Sequence, residues 1–197
     1  MTDRKFAGAC ACKQVARNRR SLLTSAAALL LSPFSPALAQ ANARMMKPQA
    51  GDGLVFAHGP RKGEPVMVDD LKVGDHPTSA YPRDPSGTVR DGSRINLLIL
   101  VRLRPEDLAE KALARAAEGV VAYSAVCTHY GCPITLTHTD GKAVVCTCHG
   151  STFDVSNNGE IVAGPATRRL ANLPLKAVDG ALVVAAGFSG QLGPPQQ

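Results

Sequence analysis

Apolar residues in this chain fall into short runs separated by stretches dense in Gly, Pro, Asp and Ser, a pattern of strands and turns rather than long helices. The strongest run outside the N-terminal region, residues 95–101, has the length and the branched residues of a buried strand. Shorter strands are predicted at 54–57, 65–68, 120–123, 142–145, 160–162, 173–177 and 181–185, with turns at 157–159 and 179–180. Residues 74–94 are rich in Pro, Gly, Asp and Ser and predict a long surface excursion. One helix is expected after Pro105, which suits a first helical position. Glu106 and Asp107 favour its positive end, Leu108, Ala112 and Leu113 give an apolar stripe, Asp107 can pair with Lys111, and Gly119 stops it. The pattern therefore predicts an all-β, antiparallel domain with one inserted helix over 54–190, preceded by a loose polar segment at 40–53 and followed by a flexible tail at 191–197.

The N-terminal region changes this picture. Residues 1–39 carry six basic side chains and one acid, then an Ala/Leu run that ends in Pro33, Pro36 and the small-residue end Ala37, Leu38, Ala39. A basic region, a short apolar region and small residues before a cut form an export signal, and Arg19–Arg20 point to the twin-arginine route with cleavage after Ala39. The alternative is a retained anchor. The nineteen residues from Ser21 to Ala39 are interrupted by two prolines, against about 20 apolar residues for a span. The expected location is periplasmic, or, with an uncleaved leader, attached to the outer face of the inner membrane. Beyond residue 39 the chain has 16 basic and 15 acidic side chains. The formal charge of +6 thus belongs to the leader, and nucleic-acid binding loses its main support.

Of the six cysteines, Cys10 and Cys12 precede the arginine pair and are read as incidental thiols. The others lie in two stretches, Cys127-Thr128-His129-Tyr130-Gly131-Cys132 and Cys146-Thr147-Cys148-His149-Gly150-Ser151. Each offers a thiolate and an imidazole at close spacing, a donor set suited to an iron pair or to a closed tetrahedral zinc site. His58, His76 and His138 have no partner at ligand spacing and are read as surface histidines.

Cys-x-His, sixteen residues, then Cys-x-x-His resembles the Rieske iron–sulfur family. With its two extra cysteines it is similar to the high-potential branch of quinol-oxidising bc complexes and arsenite oxidases. The resemblance implies a β sandwich with a cluster-binding subdomain at about 124–166, and one 2Fe–2S cluster held by Cys127, His129, Cys146 and His149. It also implies a disulfide between Cys132 and Cys148. Ser151 stands where the family places a hydroxyl donating to a cluster sulfur, and Gly164 and Pro165 match the loop that covers the cluster. Phe153 replaces the family's second hydroxyl donor, a tyrosine, which predicts a lower potential than proteins with both. Two neutral imidazoles in place of two thiolates make an added electron easier to hold, in a family range of roughly −150 to +300 mV. Zinc leaves Cys132, Cys148, Gly150, Ser151, Gly164 and Pro165 without a role.

The resemblance implies an exported carrier of single electrons with no bond chemistry of its own. The leading expectation is a subunit or partner of a periplasmic oxidoreductase, similar to arsenite oxidase small subunits in its leader, in residues 121–124 (Val-Ala-Tyr-Ser) and in Phe153-Asp154. Its donor would be a larger oxidoreductase subunit and its acceptor a c-type cytochrome or similar protein. The alternative is the iron–sulfur subunit of a membrane bc-type quinol:cytochrome c reductase, with a quinol-oxidising complex as donor. A zinc-stabilised binding module is the reading from another class.

Overall fold

The structure, a computed structural model, describes residues 36–195 apart from 139. The predicted export signal lies outside the described residues except for its last four positions. Those four open helix α1 (Pro36–Met45), so Ala39 falls inside a helix. Where the sequence predicts a loose segment at 40–53, the chain is held from several sides. Arg90 Nη1 donates to the Ala43 carbonyl at 3.1 Å, the Gly92 N–H to Arg44 at 3.0 Å, and Asn96 Nδ2 to Met46 at 2.7 Å. Just before the first strand, buried Asp52 receives Arg90 in a two-pronged pair at 2.6 and 3.1 Å.

Strands β1 (Gly53–Phe56), β2 (Thr78–Arg83), β3 (Leu98–Arg102) and β4 (Val120–Ser124) form a consecutive antiparallel series. The chain then leaves for a separate antiparallel sheet of β5 (Leu136–Thr137), β6 (Ala143–Cys146), β7 (Ser151–Asp154) and β8 (Glu160–Ala163). It returns through β9 (Asn172–Leu173), β10 (Leu175–Val178) and β11 (Ala181–Val184). The larger sheet runs β10-β11-β1-β2-β3-β4-β9 and curls until β10 comes against β4, nearly closing on itself. The fold is antiparallel β throughout, as the run lengths predict.

Side-chain alternation on β3 and β4 explains the position of the small sheet. Leu98, Leu100, Val120 and Ala122 face the interior of the curled sheet with Leu54, Val66, Leu173 and Leu182. Ile99, Val101, Val121 and Tyr123 face the other way, onto Val144, Phe153, Val155 and Leu170 of the small-sheet region. Both faces of these strands are buried, so their sequence reads as continuous apolar runs instead of alternating ones.

Four expectations change. The helix after Pro105 breaks into a 3-10 turn, Pro105–Asp107, and a single α turn, α2 (Glu110–Leu113). Asp107 pairs with Arg104 and Lys142 instead of Lys111, Leu108 and Ala109 become extended, and the Ala109 N–H donates to Ser156 at 2.9 Å. These contacts outcompete the i,i+4 pair. The excursion at 74–94 contains β2, whose Pro82 lies past Ala80, where the ladder to β3 has ended. Residues 65–68 make isolated bridges rather than a strand. Pro174 divides the run at 173–177 between opposite ends of the curled sheet.

Candidate metal centre

The two cysteine-histidine stretches fold alike. β4 runs into the first loop, where the Gly131 N–H closes onto the Cys127 carbonyl at 2.9 Å and the Cys127 N–H onto Cys132 at 2.8 Å. In the second, Cys146 ends β6 opposite Ser151 of β7, and the Gly150 N–H closes onto the Cys146 carbonyl at 2.9 Å. Gly131 and Gly150 both take positive φ, 76° and 74°, which a glycine adopts at no steric cost. Each loop thus roots its first cysteine in the core and carries its histidine at the tip.

Cys127 and Cys146 are both buried in the core that joins the two sheets. His129 is half-buried and His149 exposed. Their Nδ1 atoms face each other at 3.3 Å, with the rings nearly perpendicular at 88°. Cys132 and Cys148 form a disulfide across the loops, with their Cα atoms 6.6 Å apart. The sulfurs of Cys132, Cys146 and Cys148 all lie within 4.8 Å of one another. Burial and the neighbouring Cys146 thiol push the Cys127 thiol up from its ordinary range, while the His129 N–H, 3.5 Å from Sγ, and the Ser151 hydroxyl favour its thiolate.

Ser151 is wholly buried, and its Oγ accepts the Ala166 N–H at 3.1 Å. That contact occupies the oxygen and leaves the hydroxyl proton free to turn towards sulfur. It also ties the segment Gly164-Pro165-Ala166 down over the loops. A side chain at Gly164 would place its Cβ 2.5 Å from Ser151 Cα and 2.7 Å from the Gly150 oxygen, so only glycine fits there. Phe153 is wholly buried in the same core as both cysteines.

A family profile described as "Rieske [2Fe-2S] domain" matches residues 98–174, the stretch that runs from β3 through both loops to β9. A Streptomyces lividans protein named "Cytochrome bc1 complex Rieske iron-sulfur subunit" is 38% identical over 136 residues, covering 66% of this chain and 79% of its own. The chain belongs to the Rieske [2Fe-2S] family.

A Corynebacterium glutamicum protein of the same name is 40% identical over 106 residues, half of this chain but only 26% of that longer protein. Among solved structures, a Rieske protein of the Synechocystis plasma membrane aligns with 95% of its length at 22% identity and a TM-score of 0.39. A Rieske family member carries a 2Fe–2S cluster, and the donor set fits one. Two thiols lie on the buried side, two imidazole nitrogens converge on the outer side, and a buried hydroxyl has its proton uncommitted. Family membership also removes the zinc-module reading.

Sequence reasoning missed the outer supports of the Rieske loops. Thr128 Oγ1 donates to the Arg168 carbonyl at 2.5 Å, and Arg94 Nη2 donates to the Gly131 carbonyl at 2.9 Å. Forty and 37 residues separate these partners, so no local spacing announces them. The predicted tail at 191–197 is described as far as 195. Arg168 binds Gln191 and the Gly193 carbonyl, and Pro194 and Pro195 wall a cavity of about 540 Å³. Thr128, His129, Tyr130, Pro165 and Thr167 line its other sides, which places an apolar groove against one of the two histidines. Tyr130 is exposed and packs its ring 4.2 Å from that of His129.

Proposed function

We propose that Cys127, His129, Cys146 and His149 hold the cluster and that the chain is the iron–sulfur subunit of a bc-type quinol:cytochrome c reductase. The convergence of the two Nδ1 atoms at 3.3 Å carries the ligand assignment. In an apolar contact neither nitrogen would need to face the other, whereas a shared metal ion requires both to point to one place. When bound, the cluster supplies one-electron chemistry.

The residues around it do the rest. Cys127 and Cys146 seat the sulfur side in the core. Gly164, Pro165 and the disulfide shield it from water. His149 presents an exposed ring edge at which a partner can dock, and His129 borders the apolar groove, which is of a size to accept a ring-bearing quinol.

The relatives named as cytochrome bc1 subunits support this assembly over a partner of a periplasmic oxidoreductase. The latter reading rests on the leader, of which only the last four positions are described, on residues 121–124 and on Phe153-Asp154. Among the described residues no helix is long and apolar enough to cross a membrane, so an anchor in the complex would come from residues outside that range.

The test replaces His149 with Asn in the native host. Loss of the paramagnetic signal of the reduced cluster together with loss of quinol-dependent cytochrome c reduction is the expected result. Cytochrome c reduction that survives loss of the signal removes the proposed assembly, and a signal that survives the substitution removes His149 from the ligand set.

A further inference from the structure

The close group of three sulfurs does more than fix the loops. Among the described residues, Cys146 Sγ and both sulfurs of the Cys132–Cys148 bridge lie within 4.8 Å of one another, with Cys146 buried, Cys132 half-buried and Cys148 exposed. We propose that in the cluster-free chain Cys146 attacks this bridge, so that iron must engage Cys146 first for the Cys132–Cys148 pairing to persist. The inference rests on Cys146 being a cluster ligand.

Thiol–disulfide exchange needs a free thiol beside a disulfide and a leaving sulfur that water can stabilise. Cys146 is free whenever iron is absent. Attack on Cys132 forms a Cys132–Cys146 bond and breaks Cys132–Cys148, and the electron pair leaves on the Cys148 sulfur. Cys148 then takes up, through water, the proton that Cys146 gave up. One disulfide and one thiol stand on each side, so no oxidant or reductant is consumed. The direction follows from burial. Cys148 departs into solvent, where its thiolate is hydrated, whereas attack on Cys148 would expel the less exposed Cys132 and close a very short ring across Thr147 alone.

Cys127 is placed differently. Its sulfur lies outside the group of three and is held by the His129 N–H at 3.5 Å. The rearranged chain has lost a ligand sulfur, so it cannot take up a cluster until Cys148 attacks Cys132 in the reverse exchange or an external thiol reduces the Cys132–Cys146 bond. The arrangement therefore sorts chains that were loaded before the disulfide formed from those that were not.

The experiment uses the full chain, iron-loaded and after removal of iron by a chelator without reductant. Both samples are quenched in acid, labelled with a maleimide and mapped by tandem mass spectrometry, which locates the label between Cys146 and Cys148. In the stripped chain the label is expected on Cys127 and Cys148, with Cys146 protected and total labelling in these loops unchanged. Label on Cys127 and Cys146 with the Cys132–Cys148 bridge intact overturns the proposal. Cys146→Ser, stripped in the same way, should leave Cys148 unlabelled; label there would mean reduction rather than exchange and would also overturn it. The ligand reading is judged separately, by whether Cys146→Ser still shows the cluster's paramagnetic signal.

Discussion

If the proposed ligand set holds the cluster, the Ser151 hydroxyl is the group expected to tune it most directly. With its oxygen taken by Ala166 at 3.1 Å and no exposure to water, its proton has sulfur to bond to and little else. A donor to sulfur binds more strongly after reduction adds negative charge, so it favours the reduced state. Ser151→Ala is therefore expected to lower the reduction potential. If the bond is worth about 1.4 kcal/mol more to the reduced form, the shift is about 59 mV for one electron. Protein-film voltammetry measures it, and an unchanged potential would show that Ser151 serves only to anchor Ala166. At this scale the candidate ligands, which remain a proposal, are read from residue type and spacing. The disulfide pairing is not, since spacing alone leaves several pairings open and the family resemblance supplies it.

At the scale of elements, two hairpin-like loops are joined by one covalent clamp. Cys132 and Cys148 are 16 residues apart in sequence. Closing a loop of that size restricts the unfolded chain by about 3 kcal/mol. The double substitution Cys132→Ala with Cys148→Ala should lower stability by about that amount in denaturant unfolding of the iron-loaded chain. A change below about 1 kcal/mol would mean that the turns closed at Gly131 and Gly150 already hold the loops together. Strands β3 and β4 were legible because both of their faces are buried, which leaves a continuous apolar run with no other reading at that length. The helix after Pro105 was not, because its fate depends on Lys142, Ser156 and Arg104, the first two on distant parts of the chain. β2 was hidden by Pro82, which marks a turn locally but sits here past the end of the ladder to β3.

For the molecule as a whole, the question is what fixes the small sheet to the curled one. Apolar packing between Ile99, Tyr123, Val144 and Phe153 provides the area. Directional contacts add the register. Tyr123 Oη donates to the Val155 carbonyl at 2.8 Å, and Asp107, after β3, accepts Lys142 Nζ at 2.8 Å at the start of β6. Arg104 on one side and Lys142 on the other hold the Asp107 carboxyl down at about 2. In the unfolded chain the same carboxyl titrates near 3.9. Between those values the unfolded chain binds more protons than the folded one, so the carboxylate's contribution is complete above the unfolded value and is lost as pH falls towards 2. Asp107→Asn keeps the size and removes the charge. The urea midpoint of Asp107→Asn should therefore lie below that of the parent at neutral pH, and the gap should close as pH drops below about 4. Because both ion pairs meet water, added salt should narrow the gap at neutral pH as well. A gap that stays constant from neutral to acid pH would mean that Asp107 joins the two sheets by packing and neutral hydrogen bonds, with no part played by its charge.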